Sequence, residues 1–252
     1  MSTAQFIPHK DHTVVESGKV SWSSPSNIAL VKYWGKEENQ IPKNPSVSFT
    51  LNTCKTITTL SFKKKESNSD FSFEIFFEGK KKEEFESKIH TFFNRIVDYV
   101  PFLKTYHFVI ETSNTFPHSS GIASSASGMS ALAMCIMSIE KLLNPELTEA
   151  FIIQKGSFLS RLGSGSACRS IEGQLIVWGE HDMIEGSSDL FGIKYPFEIH
   201  NVFNNYQDTI LLVDKGEKQV SSTVGHDLMH SHAFAELRFK QAHDNMAKLI
   251  DM

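Results

Sequence analysis

Pro117-His118-Ser119-Ser120-Gly121-Ile122-Ala123-Ser124-Ser125-Ala126-Ser127-Gly128 leads a strand pattern into a long small-residue helix, and its chemistry is that of an anion cradle. Bare N–H groups and serine hydroxyls converge there, and the following helix presents its positive dipole end to the same place. Gly121 and Gly128 permit a ligand to approach the backbone closely. Ser124 and Ser125 fall at the helix start, where a hydroxyl either caps the helix or ligates phosphate and magnesium. This is not a Walker A loop, because the Gly-Lys-Ser/Thr ending is missing. Serines packing a tight helix pair account for the same residues without a ligand.

Downstream of the loop, residues 124–143 are rich in Ala and Met and apolar nearly all round, which predicts a central buried helix. A second helix fits 147–162, opened by Asn144-Pro145 and halted by Gly163. Upstream, 107–110 is a strand, and 83–100 repeats Phe85, Ile89, Phe92, Phe93, Ile96, Val97 and Val100 on one helical face until Pro101. Residues 46–62 and 71–77 read as paired strands. Residues 20–23 and 28–34 read as two short strands joined by the turn Ser24-Pro25-Ser26. Strands are also predicted at 171–178 and 209–213, and from Val224 a helix carrying His226, His230, His232 and His243. The fold class is α+β, with the best domain border near Pro196.

With 252 residues and a net charge of -4, the chain has ample length for a buried core and no long basic stripe. Nucleic acid and membrane surfaces are therefore not expected partners. The lysine runs 63–65 and 80–82 read as solvated loop edges. Three widely spaced cysteines, Cys54, Cys135 and Cys168, argue against a disulfide framework or a zinc cluster and for a reducing compartment. No signal-peptide core appears in residues 1–17, and no span of about 18 apolar residues stands out as a bilayer crossing. A soluble, cytoplasmic protein is the expectation.

Three further segments carry chemistry. In Asn27-Ile28-Ala29-Leu30-Val31-Lys32-Tyr33-Trp34-Gly35-Lys36, strand alternation puts Lys32 and Lys36 on one face and Tyr33 on the other until Gly35 bends the chain. Such a strand end suits an anionic small molecule, although by composition alone a surface strand with snorkelling lysines is the stronger reading. In Arg161-Leu162-Gly163-Ser164-Gly165-Ser166-Ala167-Cys168-Arg169-Ser170, the Ser164 and Ser166 hydroxyls stand between glycines. Arg169 there can grip a carboxylate through two parallel hydrogen bonds. Cys168 has no pairing histidine and reads as a packed thiol rather than a nucleophile. Ser221, Ser222 and Thr223 stand before the last helix and either cap it or meet an anion.

In the order 27–36, 44–51, 116–126, 163–169 and 221–223, these motifs resemble the GHMP superfamily of small-molecule kinases, most closely its diphosphomevalonate decarboxylases. The resemblance runs from about Val20 onward and implies a two-domain GHMP-kinase-like fold, with residues 1–195 as the N-terminal domain and 196–252 as the start of a second. It implies ATP- and Mg2+-dependent decarboxylation of mevalonate 5-diphosphate by a homodimer. Tyr33, Lys36, Ser164 and Ser222 would hold the diphosphate, with Ser166 and Ser221 beside them, and Arg169 would orient the carboxylate that leaves. Lys32 would lie near the reacting centre, where fixed positive charge offsets charge on the transferred phosphoryl group. Ser119, Ser120, Gly121, Ala123, Ser124 and Ser125 would wrap the ATP phosphates, with Ser125 or Ser124 near Mg2+.

Many GHMP kinases have Ser-Gly-x-Asp in the third motif, whereas Ala167 follows Ser164-Gly165-Ser166 here. That fits the decarboxylases, whose catalytic aspartate comes in a later segment, and weighs against an ordinary mevalonate or homoserine kinase. Asp214, Asp227, Asp244 and Asp251 match no such segment, and the helical pattern at Met252 ends without a glycine stop, as in a chain cut short. The alternatives are a GHMP kinase that stops at phosphorylation, such as a mevalonate 3-kinase, and a binding fragment that cannot turn over.

Overall fold

A computed structural model describes residues 2–8, 13–66, 70–117, 121–211 and 222–252. In chain order the strands and helices are β1 (Ser17–Val31), β2 (Ser46–Lys64), β3 (Ser72–Phe77), β4 (Lys80–Lys81), α1 (Glu86–Ile96) and β5 (Tyr106–Asn114). Then follow α2 (Ser124–Leu143), α3 (Glu149–Gly163), β6 (Leu175–Trp178), β7 (Ile193–Lys194), α4 (Ser222–Asp227) and α5 (Ala235–Asp251). The architecture is mixed α+β.

β2 is the hub of the sheet. Its two flanks are set by register: Ser24 and Asn114 both pair with Thr56, and Val31 and Val177 both pair with Val47. β1 therefore lies along one side of β2, while β5 and β6 divide the other. β3 joins β5 in parallel, with α1 in the connection, and the order β4-β3-β5-β2-β6-β7 completes the sheet. β1 is one continuous strand, not the two short ones read from Ser24-Pro25-Ser26. Because β1 is an edge strand, the missing N–H of Pro25 can face away from the ladder, and a register shift between Pro25 and Asn27 absorbs the irregularity.

α2 lies across β1 and β2 and packs on α3, which in turn meets α1. Leu60, Phe62, Phe108 and Ile110 of the sheet form one core with Phe92, Phe93 and Ile96 of α1 and the apolar body of α2. Alternation sends Val47 to the opposite face from Ser46, where Val31, Val177, Ala242 and Met246 join α5 to the sheet. α2 corrects one expectation, since by length and composition it is apolar enough to cross a membrane. Its hydrophobic window is 78% buried inside the fold, as in the core helix of a globular domain.

Local endings differ from the periodic reading for identifiable reasons. α1 closes at Ile96, and Pro101 opens a 3-10 turn rather than ending the helix. Thr148, not Asn144-Pro145, caps α3, its hydroxyl accepting from the Phe151 N–H at 3.2 Å. Residues 209–211 form no strand, and 212–213 lie outside the described residues. The late helix is broken, with a 3-10 turn Leu228–Ser231 separating α4 from α5.

A 3-10 turn, Thr3–Phe6, inserts Phe6 into the core, fully buried and stacked on Phe158 at 4.4 Å with Phe191 edge-on at 6.2 Å. Phe6→Ala empties that aromatic slot and is expected to cost about 3 kcal/mol. Urea denaturation checks it, and an unchanged midpoint would show that the slot collapses or that the N-terminal turn contributes nothing.

Candidate active site

A cavity of about 470 Å³ opens between the start of α2, the end of α3 and the β2–β5 pair. Gly121, Ala123, Ser124, Ser125 and Gly128 form one wall, and Ser164 and Gly165 form another with Tyr33, Lys36 and Gln40. Its floor is polar, from Thr56, Thr58, Thr112 and Asn114, which pair across the strands as Thr56 with Asn114 and Thr58 with Thr112. The other lobe is mostly apolar, lined by Ile75, Phe77, Phe85, Ile89 and Leu132, with Lys88 among them, its ammonium held by burial below the ordinary lysine range.

The α2 end of this cavity is built to take an anion. Gly121 adopts φ +84°, a left-handed conformation natural to glycine, and an added Cβ at Gly121 or Gly128 would meet nothing within 4 Å. The N-cap residue is Ala123, left-handed at φ 49°, and no side chain caps the helix. Ser124 and Ser125 are the first two residues of the helix proper, so neither hydroxyl serves as its cap. The 20-residue helix thus opens with the Ser124 and Ser125 amides outside its hydrogen-bond ladder and both residues lining the cavity, while the Ala126 N–H is taken by the Ala123 carbonyl at 2.8 Å. These features fit a nucleotide phosphate chain. No carboxylate lines the cavity among the described residues, so Mg2+ would be held by phosphate oxygens, water and a serine hydroxyl.

The Ser164 turn is a 3-10 helix, Gly165–Ser170, and it packs tightly: a Cβ on Gly165 would come within 2.8 Å of the Trp178 ring. Arg169 is 3% exposed and lies behind the cavity wall, its guanidinium 5.5 Å from the Tyr33 ring centre and 5.6 Å from that of Trp178. One Nη donates to Ser46 Oγ, while Nε is buried without a partner. Burial lowers the Arg169 pKa and raises that of Tyr33, with Arg169 opposing the latter. Ser166 is half-buried outside the cavity wall, and its carbonyl accepts from Asn27 Nδ2 at 3.1 Å. Cys168 is a packed thiol, hydrogen-bonded to the Gly165 carbonyl at 3.0 Å and pushed by burial up to about 12, far from nucleophilic ionisation.

At the end of β1 the predicted facing is overturned: Tyr33 and Lys36 share the cavity, while Lys32 is exposed and borders a separate shallow groove with Trp34 and Arg238. β1 ends at Val31, so two-residue alternation no longer applies. Asn44 sets the new path, donating to the Lys32 carbonyl at 2.9 Å and accepting from the Trp34 N–H at 3.0 Å. Burial, opposed by Asp227, holds the Lys36 ammonium below the ordinary lysine range.

A family model described as the diphosphomevalonate decarboxylase-like N-terminal domain matches residues 24–189. The chain belongs to this family. It is 29% identical over 221 residues to the diphosphomevalonate decarboxylase of Gibberella zeae, covering 82% of this chain and 54% of that protein. The fold is similar to mevalonate diphosphate decarboxylase from Staphylococcus aureus, with a TM-score of 0.70 and 28% identity over 92% of this chain and 65% of that one. It also matches MDDEF in complex with MVAPP, AMPPCP and magnesium, at TM-score 0.68 and 30% identity over 92% of this chain and 66% of that one. The chain spans about half the length of the curated relatives it matches.

Within this decarboxylase-family fold, Tyr33, Lys36, Gly121, Ala123, Ser124, Ser125 and Ser164 come together around one cavity. Lys32, Ser166 and Arg169 do not line it. Ser119, Ser120 and Ser221 lie outside the described residues, and Ser222 is described only as the first residue of α4. Gln40 and the floor residues Thr56, Thr112 and Asn114 were not singled out from the sequence. The threonines and Asn114 carry a signal, as polar residues recurring on one face of strands otherwise rich in Ile and Phe, whereas Gln40, in a turn, carries none.

Proposed function

We propose that this chain is the nucleotide- and diphosphate-binding part of a diphosphomevalonate decarboxylase, with residues 196–252 beginning its second domain. The reaction is ATP-dependent conversion of mevalonate 5-diphosphate to isopentenyl diphosphate, ADP, phosphate and CO2. One observation carries the reading: two small-residue turns, Gly121–Ser125 and Ser164–Gly165, line a single cavity together with Lys36 and Tyr33, and no carboxylate among the described residues lines it. Two separated phosphate chains need such an arrangement. Gly121, Ser124 and Ser125 receive the ATP phosphates, with Ser125 toward Mg2+, and the apolar lobe suits the base.

Lys36, Tyr33 and Ser164 take the substrate diphosphate, with Ser222 and Ser221 as its further holders, and Arg169, behind the cavity wall, orients the carboxylate. Lys32 and Ser166 lie outside the cavity and are given no contact with the ligands. Bound ATP with Mg2+ supplies the phosphoryl group that turns the substrate's tertiary hydroxyl into a leaving group. The protein's part is to hold two anions in register and exclude water. A cytoplasmic homodimer completes the reading.

Carboxyl-labelled mevalonate 5-diphosphate, ATP and Mg2+ test it on the intact protein. Labelled CO2 formed in step with ADP is expected. ADP without CO2 would instead mean a kinase that stops at phosphorylation. Calorimetry on the present chain should register AMPPCP–Mg2+ and mevalonate 5-diphosphate binding at separate, mutually compatible sites, and heatless titrations of both would overturn the binding assignment.

A further inference from the structure

We propose that Gln40 is a positioning residue for the diphosphate subsite, carried on a hairpin turn that the buried Arg161 ties to the body of the fold. The inference rests on the assignment of Lys36 to the diphosphate.

Asn39 and Gln40 are consecutive non-glycine residues in the left-handed region, at φ 55° and 62°. They are the central pair of a tight hairpin turn, in which left-handed φ at both positions is ordinary geometry: the Ile41 N–H donates to the Glu38 carbonyl at 3.3 Å, the Glu37 N–H donates to the Ile41 carbonyl at 2.7 Å, and Lys36 bridges Pro42. Arg161 ties this turn to the body of the fold. Its side chain is 1% exposed, donates Nε to the Leu190 carbonyl at 2.7 Å and Nη1 to the Asn39 carbonyl, and lies 5.4 Å over the Phe158 ring. No carboxylate among the described residues forms an ion pair with it, so this guanidinium is spent on two backbone carbonyls from distant segments.

The geometry delivers Gln40 to the cavity wall, where its Oε1 accepts from Lys36 Nζ at 3.2 Å. A neutral acceptor holds the ammonium pointing inward without neutralising it, and the amide N–H2 group remains a donor toward a phosphate oxygen. A carboxylate at this position would instead compete with the ligand for Lys36.

Gln40→Met is the decisive variant, because it keeps the length of the side chain and adds no charge, whereas the carboxylate of Gln40→Glu repels a diphosphate whatever Gln40 does. If Gln40 were only structural, Gln40→Met would keep wild-type affinity for mevalonate 5-diphosphate wherever it kept wild-type thermal stability. The positioning role instead predicts unchanged stability with affinity weakened about fivefold by the lost hydrogen bond. AMPPCP–Mg2+ affinity should stay within about twofold, as expected for a ligand held mainly at the start of α2. Arg161→Lys, which cannot reach both carbonyls as a fork, should reproduce the Gln40→Met loss; if it unfolds, Gln40→Met alone decides. Wild-type diphosphate affinity in Gln40→Met overturns this inference and leaves the site assignment standing. Failure of the wild-type chain to bind mevalonate 5-diphosphate overturns the site assignment itself.

Discussion

Glu140→Leu is expected to lose about 3–5 kcal/mol of folding stability, whereas Glu140→Leu combined with Lys155→Met should recover most of it. The Glu140 carboxylate on α2 and the Lys155 ammonium on α3 are 2.6 Å apart, with side chains 3% and 1% exposed. Lys155 also donates to the Tyr99 carbonyl at 2.8 Å, but Glu140 Oε2 has no partner. Burial pushes the carboxyl up and the ammonium down, and their attraction opposes both shifts. Removing one partner strands a buried charge; removing both leaves an apolar gap and one unpaired carbonyl, a far smaller penalty. Guanidinium denaturation of the three proteins measures this. A single variant as stable as the wild type would sink the argument, as would a double variant no better than the single. The pair has a functional position as well, since it ties the helix that begins at the Ser124 end of the cavity to the helix that ends at Ser164.

That pair illustrates why some of the molecule was legible in the sequence and some was not. α2 was readable from 124 to 143 because nearly every residue is small or apolar, so one glutamate did not interrupt the pattern. Its partner sits on another helix, and nothing in sequence spacing joins Glu140 to Lys155. The Gly121 and Ser164 turns were legible because small residues and hydroxyls make a local signal that needs no tertiary contact. Lys32 was misplaced because alternation fails once a strand ends, and the side chain that redirects the path, Asn44, bonds back across ten or more residues. β1 was split because a proline reads as a turn unless the strand is known to lie at an edge, which is a property of the whole sheet. Gln40 escaped notice because its position depends on Arg161, a long-range hydrogen bond invisible to periodicity.

Arg169→Lys should lower kcat/KM for CO2 release by more than tenfold in the intact protein, each factor of ten corresponding to about 1.4 kcal/mol of transition-state stabilisation. Lysine retains the charge but neither the planar fork nor the ring contacts, and the ring contacts are visible here: the guanidinium stands against Tyr33 and Trp178, whose rings meet edge-on at 4.9 Å. The Arg169 Nε is buried without a partner, where buried donors almost always find acceptors. Arg169 also bonds Ser46 and supports Tyr33, so a purely architectural role has to be separated from contact with substrate. Inorganic pyrophosphate separates them, because it carries the diphosphate chemistry without the carboxylate. If Arg169 orients the carboxylate, Arg169→Lys binds pyrophosphate as the wild type does and loses affinity only for mevalonate 5-diphosphate. Equal losses for both ligands would make Arg169 a support for the Tyr33 wall, and near-normal turnover would remove it from the reaction altogether.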